Sequence, residues 1–380
     1  MAIVFWLCCA FVFYTYVGYP IFCWLASVLF PIPFAREDPP ASSFTIIIAA
    51  HNEGARIESR ILEFIEDLKA CPTSGELIVV SDGSTDGTAE AARRVQDTSV
   101  RVIELTTNVG KAQALNVAVE LSRGEVLIFA DVRQRWADDA LQALLANFMD
   151  PSIGGVGGEL VLQATAGENE GIDYYWRYEK WIRMSESRIA STVGVSGSIA
   201  AVRSRLFRPI PPGTVLDDVY WPMIVVMQGY RVVFDTAALA YDRLPAKAAH
   251  EFVRKVRTLA GNFQLVATIP QVLNPFKNPI WWQFLSHKLG RLCVPWAILI
   301  ELLASAFSSD PILRFAFGAQ IFVIVVICAT LALRPTFRLP LISAATSFLI
   351  LNAAAFTAFW VWISGSTALS WRKVDYNDPS

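Results

Sequence analysis

The sequence predicts an α/β domain with a mostly parallel β-sheet, placed between one N-terminal and about three C-terminal transmembrane helices. Between residues 43 and 148, short β-branched apolar runs alternate with helical segments, which is the pattern of a parallel sheet covered on both faces. Three of those runs end abruptly in polar or acidic residues. Of the whole chain, 54% is hydrophobic and only 17% is charged, and that composition is typical of a protein with membrane segments.

The first apolar stretch covers residues 2–34 and contains no charged residue. About 20 residues suffice to cross a bilayer. The stretch lacks the positive start and the short apolar core of a cleaved signal peptide, so we expect an uncleaved transmembrane helix. Three further apolar runs, at about 292–308, 312–333 and 339–363, bring the expected number of spans to four.

Positive residues between the spans favour a cytoplasmic position for the large domain. Arg36 follows the first span, and Arg334 and Arg338 lie in a loop on the same side of the membrane in this topology. Lys and Arg collect on the cytoplasmic side of membrane proteins. Arg372 and Lys373 fall on the other side and weaken the argument slightly.

The same features divide the chain into four parts. We expect a transmembrane helix in residues 1–35 and the α/β domain in residues 36–268. Residues 269–291 mix Trp and Phe with Lys, Arg and His, as in an interfacial amphipathic segment. Residues 292–380 then form the C-terminal membrane region.

The three strand ends predict one ligand site. Their residues are Ala50, His51, Asn52, Glu53, Asp82 and Asp131. Ligands of open α/β sheets gather at the carboxyl ends of the strands. Carboxylates beside a polyanionic nucleoside diphosphate make sense if they hold a divalent cation or bind the base and ribose hydroxyls. Asp82 is therefore placed for the base or ribose, and Asp131 for Mg²⁺ or Mn²⁺ at the diphosphate.

A lysine completes this predicted site. Lys111 follows a glycine at the start of a predicted helix and can meet a phosphate with help from the helix amides. Each residue also has a structural interpretation: Lys111 as a solvated side chain, Asp86 as a helix N-cap, and the other aspartates as loop residues. The combination in one series of strands and helices favours nucleotide binding.

Four motifs together resemble the family 2 glycosyltransferases. They are Ala50-His51-Asn52-Glu53, Ser81-Asp82-Gly83-Ser84-Thr85-Asp86-Gly87-Thr88, Gly110-Lys111-Ala112-x-Ala114-Leu115-Asn116 and Phe129-Ala130-Asp131. The membrane-embedded branch with cellulose, hyaluronan, chitin-oligosaccharide and poly-N-acetylglucosamine synthases is most similar, over about residues 43–290. The resemblance implies a Rossmann-like GT-A fold and inverting transfer from a nucleotide sugar, with Asp82 at the base.

The resemblance also implies a catalytic base. The family's Thr-Glu-Asp motif falls on residues 216–218, so Asp218 would be the base with Asp217 beside it. An inverting displacement needs a carboxylate to take the proton from the acceptor hydroxyl. An acidic pair at a helix start is also favoured by the helix dipole, and the two roles are compatible. The residues that sit where the family shapes its acceptor pocket are Ser196, Gly197 and Ser198.

The metal motif departs from the family pattern. The family's Asp-x-Asp begins at Asp131, but its second position is Arg133. Arginine cannot ligate a cation. Either Asp131 binds the metal with other ligands, or Arg133 contacts a phosphate and metal dependence is weaker.

The acceptor motif departs as well. The Gln-x-x-Arg-Trp motif of processive enzymes corresponds to residues 254–258, where Arg254 and Arg257 are candidate diphosphate contacts. Thr258 replaces the Trp that would stack on the growing chain. Processivity therefore stays open, and Trp221 is one aromatic side chain that could contact the acceptor instead.

These observations predict a membrane-bound inverting glycosyltransferase that moves a sugar, from a UDP-linked donor, to a polysaccharide or lipid-linked acceptor with a β linkage. One alternative is non-processive addition of a single sugar to a polyprenyl phosphate or glycolipid. Another is a non-catalytic, nucleotide-sugar-binding subunit of a polysaccharide assembly complex. Expected partners are the nucleotide sugar, the acceptor, membrane lipids and an export partner, in the bacterial inner membrane. The net charge of −2 gives no reason to expect nucleic-acid binding.

Overall fold

The structure is a computed structural model. It describes residues 1–33, 43–163, 170–243, 248–333 and 340–365. The positively charged positions used above for topology, Arg36, Arg334, Arg338, Arg372 and Lys373, lie outside the described residues. The cytoplasmic orientation therefore stays a prediction.

A mixed sheet of eight strands forms the centre of the α/β domain. The strands are β1 (Ser43–Ala50), β2 (Ser74–Asp82), β3 (Val100–Leu105), β4 (Val126–Ala130), β5 (Arg135–Trp136), β6 (Ile153–Gln163), β7 (Ile199–Arg203) and β8 (Arg231–Arg243). Across the sheet they follow the order β3-β2-β1-β4-β7-β6-β8-β5. Strands β1 to β4 are mutually parallel, whereas β7 runs antiparallel to β4 and β6. The predicted fold class is confirmed, with a sheet that is mixed beyond β4.

Thirteen named helices surround the sheet or extend from it in the described part of the chain. They are α1 (Ala2–Phe13), α2 (Tyr19–Leu29), α3 (Ile57–Ala70), α4 (Thr88–Arg94), α5 (Lys111–Leu121), α6 (Ala140–Ala146), α7 (Glu170–Ile189), α8 (Asp217–Met227), α9 (Ala248–Thr268), α10 (Trp281–Gln283), α11 (Gly290–Ala306), α12 (Pro311–Leu333) and α13 (Pro340–Ile363). The predicted alternation of strands and helices is thus present from β1 to α6.

Both faces of the sheet are buried, as continuous apolar strands require. Ile46 and Ile48 of β1 pack into one core with α3 and α6, whereas Ile47 packs into the other with α5 and α8. Neighbouring residues face opposite sides because the side-chain period of a strand is two. The two cores fix the strand ends, and with them the loops that carry the polar residues.

Four helical segments are long and apolar enough to cross a membrane. They are Ala2–Leu29, Trp281–Ala306, Pro311–Thr330 and Ala345–Ile363. The second begins well before residue 292, where the sequence analysis placed its start, because α10 continues through a π-helical turn (Phe284–Leu289) into α11. The end of the predicted interfacial segment therefore belongs to this helix.

The α/β domain and these apolar helices share packed surfaces. α2 packs against α7, and α13 packs against α9. The contact between α9 and α13 includes Val256 and Ala260 on one side and Ala354 and Ala358 on the other. The domain is therefore joined to the apolar helices through α7 and α9.

Candidate active site

The carboxyl ends of β1, β2 and β4 meet at one edge of the sheet, as predicted for adjacent parallel strands. Because β7 is antiparallel to β4, the loop that precedes it arrives at the same edge. Residues 194–198 of this loop contact the start of α8, where Val195 N–H donates to the backbone oxygen of Asp218 at 3.0 Å. Strand topology thus brings the predicted nucleotide site at the strand ends next to the predicted base at the start of α8.

The turn after β1 is fastened to the turn after β2. His51 Nδ1–H donates to the backbone oxygen of Asp82 at 2.7 Å. Asn52 adopts a left-handed φ of 54°, which asparagine tolerates better than most residues. Its Oδ1 accepts from Thr85 N–H at 2.8 Å, and Glu53 N–H donates to Thr88 Oγ1 at 2.9 Å. Ala50 is buried beneath this turn.

Asp82 holds a loop in place. Its side chain is 2% exposed, and its two oxygens accept from Val109 N–H at 2.7 Å and Gly110 N–H at 2.9 Å. The next residue must be glycine, because a Cβ at Gly83 would lie 2.2 Å from Asn108 N. Each oxygen of this carboxylate thus already accepts one loop N–H, and the contact with a base or ribose stays a prediction.

Asp86 lies one residue before the N-cap of α4, which is Gly87, and therefore is not the N-cap itself. Its Oδ1 accepts from Thr88 N–H at 3.2 Å, at the first residue of α4. Its Oδ2 accepts from Gly54 N–H at 2.9 Å. These contacts depress the pKa of Asp86 even though burial opposes them. Its role is to join the first two turns.

Lys111 is the first residue of α5 and lies among three aspartates. Its Nζ donates to Asp131 Oδ1 at 2.8 Å and lies 3.9 Å from Asp217 Oδ2. Burial disfavours the ammonium, but Asp131 and Asp217 outweigh burial and raise the pKa of Lys111. The lysine therefore stays charged, between the strand-end carboxylate and the acidic start of α8.

Asp218 has the clearest chemical signature in the site. Burial, reinforced by the negative charge of Asp217, raises its pKa to about 6, although Lys111 and two further cations act in the opposite direction. Among the described residues, its Oδ1 has no hydrogen-bond partner. A carboxyl group with this pKa is ionised at neutral pH yet holds a proton more readily than an ordinary aspartate, which suits a general base.

The loop with Ser196, Gly197 and Ser198 lies beside this carboxyl, where the sequence analysis expected the acceptor pocket. A Cβ at Gly197 would lie 3.4 Å from Lys111 Nζ and 3.6 Å from Asp218 Cβ. The hydroxyl oxygens of Ser196 and Ser198 are 2.9 Å apart. Gly197 therefore lies directly beside both Lys111 and Asp218.

Arg133 has a protein partner. Its Nη2 donates to Asp242 Oδ2 at 2.6 Å, and Gln134 Nε2 donates to the same oxygen at 2.9 Å. Asp242 is the second-last residue of β8 and is 8% exposed. The guanidinium therefore neutralises a buried carboxylate, a contact that sequence reasoning missed because Asp242 is 109 positions away.

The remaining predicted contacts involve Trp221 of α8 and two arginines of α9. Trp221 is 2% exposed and packs against Phe129 in the core beneath the sheet, a position that argues against the expected contact with an acceptor. Arg254 and Arg257 lie on α9 and interact with other residues, and their contact with a diphosphate stays a prediction. The contribution of α9 that the structure shows comes from Gln264, which binds the backbone of the loop before α8 at 2.8 and 2.9 Å.

Comparison with known proteins identifies the domain. Residues 45–209 match the family described as Glycosyl transferase family 2. An N-acetylglucosaminyltransferase of Azorhizobium caulinodans is 22% identical over 310 residues, which are 76% of each chain. A poly-beta-1,6-N-acetyl-D-glucosamine synthase of Staphylococcus aureus is 23% identical over 241 residues, covering 58% of this chain and 55% of the synthase.

A solved structure shares the fold. The mannosyltransferase from Pyrobaculum calidifontis, in complex with GDP-Man and Mn²⁺, aligns with a TM-score of 0.71 and 23% identity over 95% of this chain and 99% of its own. The GT-A architecture expected from the motifs is therefore present. With the sheet, the strand-end motifs and the family match in agreement, this chain is a glycosyltransferase whose residues 45–209 form a Glycosyl transferase family 2 domain.

Proposed function

We propose that the chain catalyses inverting transfer of a sugar from a nucleotide sugar, UDP-linked, to a polysaccharide or lipid-linked acceptor at a membrane. The observation that carries the proposal is the pairing of Asp218, whose pKa is raised to about 6, with the Lys111–Asp131 ion pair at the edge where the strands end. Asp218 can accept a proton, and Lys111 can bind a diphosphate. The names of both curated relatives support N-acetylglucosamine as the first sugar to test.

The reaction would be a single displacement. An acceptor hydroxyl oxygen forms a bond to the anomeric carbon while the bond from that carbon to the diphosphate oxygen breaks. The carboxylate of Asp218 takes the hydroxyl proton, and the nucleoside diphosphate leaves with the electron pair. Attack opposite the leaving group inverts the anomeric centre and gives a β linkage from an α-linked donor.

Lys111 and the start of α5 would receive the diphosphate. The first amides of a helix are free to bind an anion, and the ammonium adds a full charge. Lys111 already shares the space between Asp131 and Asp217. We assign to Lys111 a contact with the donor phosphates, which its ammonium would reach by moving away from these carboxylates.

The carboxylates of the site could hold a divalent cation only if substrate phosphates supply further ligands. Within the described residues no group of three His, Cys, Asp or Glu side chains is placed to hold a metal. Mg²⁺ commonly uses one or two carboxylates together with substrate phosphates and waters, so Asp131 fits as the protein ligand. Bound there, Mg²⁺ or Mn²⁺ would offset negative charge on the departing diphosphate.

The setting would be the cytoplasmic face of a bacterial inner membrane. Four helices with the length and composition of membrane spans support the membrane assignment. Membrane lipids are then partners, and a polymer product would need an export partner. The transferase names of the relatives favour catalysis over a purely binding subunit, whereas polymerisation and single-sugar addition differ in product length.

Nucleoside diphosphate release tests the proposal. The purified chain in detergent would be given a panel of UDP- and GDP-linked sugars with and without Mn²⁺. We expect release with at least one UDP-sugar. Binding of no nucleotide sugar, measured in the same preparation by thermal stabilisation, would overturn it.

A further inference from the structure

A proline-rich loop leads to the proposed base. It covers residues 207–216 and ends where α8 begins. Pro212 and Gly213 lie at the centre of a turn in which Thr214 N–H donates to the backbone oxygen of Pro211 at 3.3 Å, and Gly213 has a φ of 73°. Proline followed by glycine at these positions is typical of a type II turn. The loop therefore has a built-in turn, and its position depends on what holds its two ends.

Asn116 of α5 holds the start of this loop. Its Oδ1 accepts from Ile210 N–H at 2.9 Å, and its Nδ2 donates to the backbone oxygen of Ile210 at 2.8 Å. Gln113 Nε2 donates to the same oxygen at 2.9 Å. Because Ile210 is buried, its backbone groups need partners within the protein, and α5 supplies them. Asn116 ends the motif that begins at Gly110, and these contacts give it a structural reason.

Gln264 of α9 holds the end of the loop. Its Oε1 accepts from Val215 N–H at 2.9 Å, and its Nε2 donates to the backbone oxygen of Gly213 at 2.8 Å. The two elements approach closely here, since a Cβ at Gly261 would lie 2.7 Å from Leu216 Cγ. Leu216 is the N-cap of α8 and makes no side-chain cap hydrogen bond. The start of α8 is therefore held by α9 and not by a polar cap.

We call Asn116 and Gln264 the amide clamp. Each side chain accepts from one backbone N–H and donates to one backbone oxygen of the loop, which an amide can do without adding a charge. Asn116 lies five residues, or about 7.5 Å of helix, after Lys111. Lys111 Nζ in turn lies 3.9 Å from Asp217 Oδ2. The clamp thus ties the loop that leads to the base to the helix that carries the lysine.

We propose that Asn116 and Gln264 are positioning residues that hold Asp218 in register with Lys111. This rests on the proposed function, in which Asp218 takes the acceptor proton while Lys111 contacts the diphosphate. Bond formation and bond breaking occur on opposite sides of one carbon, so both groups must be correctly placed at the same moment. A misplacement of about 1 Å can cost on the order of 100-fold in rate.

The two arms of the clamp come from different parts of the protein. Asn116 belongs to a helix that packs on the sheet, whereas α9 also packs against α13, with Ala260 in the cluster that includes Ala354 and Ala358. The loop is therefore held from two sides. Loss of either arm would leave it attached on one side only, so we expect each arm to matter.

Turnover by the whole chain tests the inference. Gln264→Met and Asn116→Leu each remove the hydrogen bonds of one arm but keep a side chain of similar size. We expect kcat for UDP release from UDP-N-acetylglucosamine to fall by about 10- to 100-fold in each variant, while the affinity for this donor stays within about twofold. Wild-type kcat in both variants would overturn the inference, and so would an equal loss of donor affinity.

Two further variants separate lost hydrogen bonds from lost fold. Gln264→Glu keeps the acceptor for Val215 N–H, and water can replace the lost donor at the exposed Gly213, so kcat should fall by less than about threefold. Gln271→Met makes the same change as Gln264→Met at an exposed glutamine and should leave kcat unchanged. Equal losses in Gln264→Glu and Gln264→Met would overturn the role assigned to the Val215 contact.

The pH dependence of UDP release distinguishes positioning from a general loss of stability. Burial raises the pKa of Asp218 to about 6, and a loosened loop would admit water to this carboxyl. In Gln264→Met the midpoint of the activity loss at acidic pH should therefore move from about 6 towards the ordinary value of about 4. A variant that is only less stable would keep the wild-type midpoint, and that result would overturn the inference.

Asp218→Asn keeps the two proposals apart. If this variant loses transfer while Gln264→Met and Asn116→Leu behave like the wild type, the base assignment stands and the positioning inference fails. If Asp218→Asn retains full transfer, the base assignment in the proposed function fails, whatever the clamp variants do.

Discussion

The two acidic regions at the edge of the sheet differ in how their charges are used. After β2, Asp82 is buried with both oxygens bonded to the backbone of one loop, and Asp86 is bonded to two turns. Across the site, Asp218 has a buried oxygen without a partner among the described residues and a raised pKa. The first region is internally satisfied, and the second is not.

This difference separates scaffold from chemistry. A carboxylate whose hydrogen bonds are complete stabilises the fold but has little left to offer a substrate. A carboxylate held with an incomplete set of partners is available for a proton or a ligand, and that incompleteness costs stability. We therefore assign positioning to the turn after β2 and reaction chemistry to Asp218, Lys111 and Asp131.

The largest effect should come from Asp218→Asn. Transfer should fall by about 10²- to 10⁴-fold, the usual contribution of a general base, while nucleotide-sugar binding stays within a few fold. The raised pKa means that folding favours the protonated carboxyl, so the stability it provides is lost as pH rises through about 6. Asparagine avoids that loss, so the melting temperature should rise at pH 8 and change less at pH 5. Full transfer activity in this variant would refute the base assignment.

Asp131→Asn should have the next largest effect on turnover. The variant loses the partner of Lys111 and the proposed metal ligand together, so we expect transfer to fall by roughly 100-fold and its Mn²⁺ dependence to weaken. Chelation of the wild type with EDTA should reproduce much of the loss. Turnover measured against Mn²⁺ concentration checks this. An unchanged Mn²⁺ response in the variant would place the metal elsewhere.

Asp82→Asn should mainly change stability. The carboxylate accepts from two backbone N–H groups, whereas the amide nitrogen of asparagine cannot accept a hydrogen bond. One N–H would lose its partner, and we expect a loss of about 1–3 kcal/mol in the free energy of unfolding. Denaturant unfolding of the α/β domain in the wild type and the variant measures this difference in free energy. A stable variant with selectively weakened UDP-sugar binding would show instead that Asp82 reads the base, and would blur the distinction between the two regions.

The smallest effect on activity should come from Trp221→Phe. The indole is packed in the core, so we expect about 1–3 kcal/mol of destabilisation from imperfect repacking and a KM for the acceptor within twofold of the wild type. Steady-state kinetics at 20 °C checks this. A large rise in the acceptor KM alone would return Trp221 to the acceptor site.

Much of the fold could be predicted because its signals are local. The apolar strands, their polar ends and the helix starts at Lys111 and Asp217 all follow from short stretches of sequence. The resemblance then supplied the base, which no local pattern distinguishes from an acidic helix start. Strand ends also brought Asp131 and Lys111 together as expected.

The remaining features depend on contacts between distant residues. In the sequence, Arg133 could be interpreted as a phosphate contact, because no local pattern indicates that Asp242 of β8 is its partner. Trp221 can be buried because the small residue Gly155 of β6 lies opposite its ring. The sequence of α8 alone does not indicate this contact.

The pH dependence of transfer tests the central claim most directly. With limiting acceptor, kcat/KM of the wild type should fall about tenfold per unit as pH drops below about 6, because protonation removes the base. An aspartate with an ordinary pKa near 4 would give no such loss until well below pH 5. A profile that stays flat from pH 7 to pH 5, in a range where the protein remains folded and binds its nucleotide sugar, would contradict the assignment of Asp218 as the base.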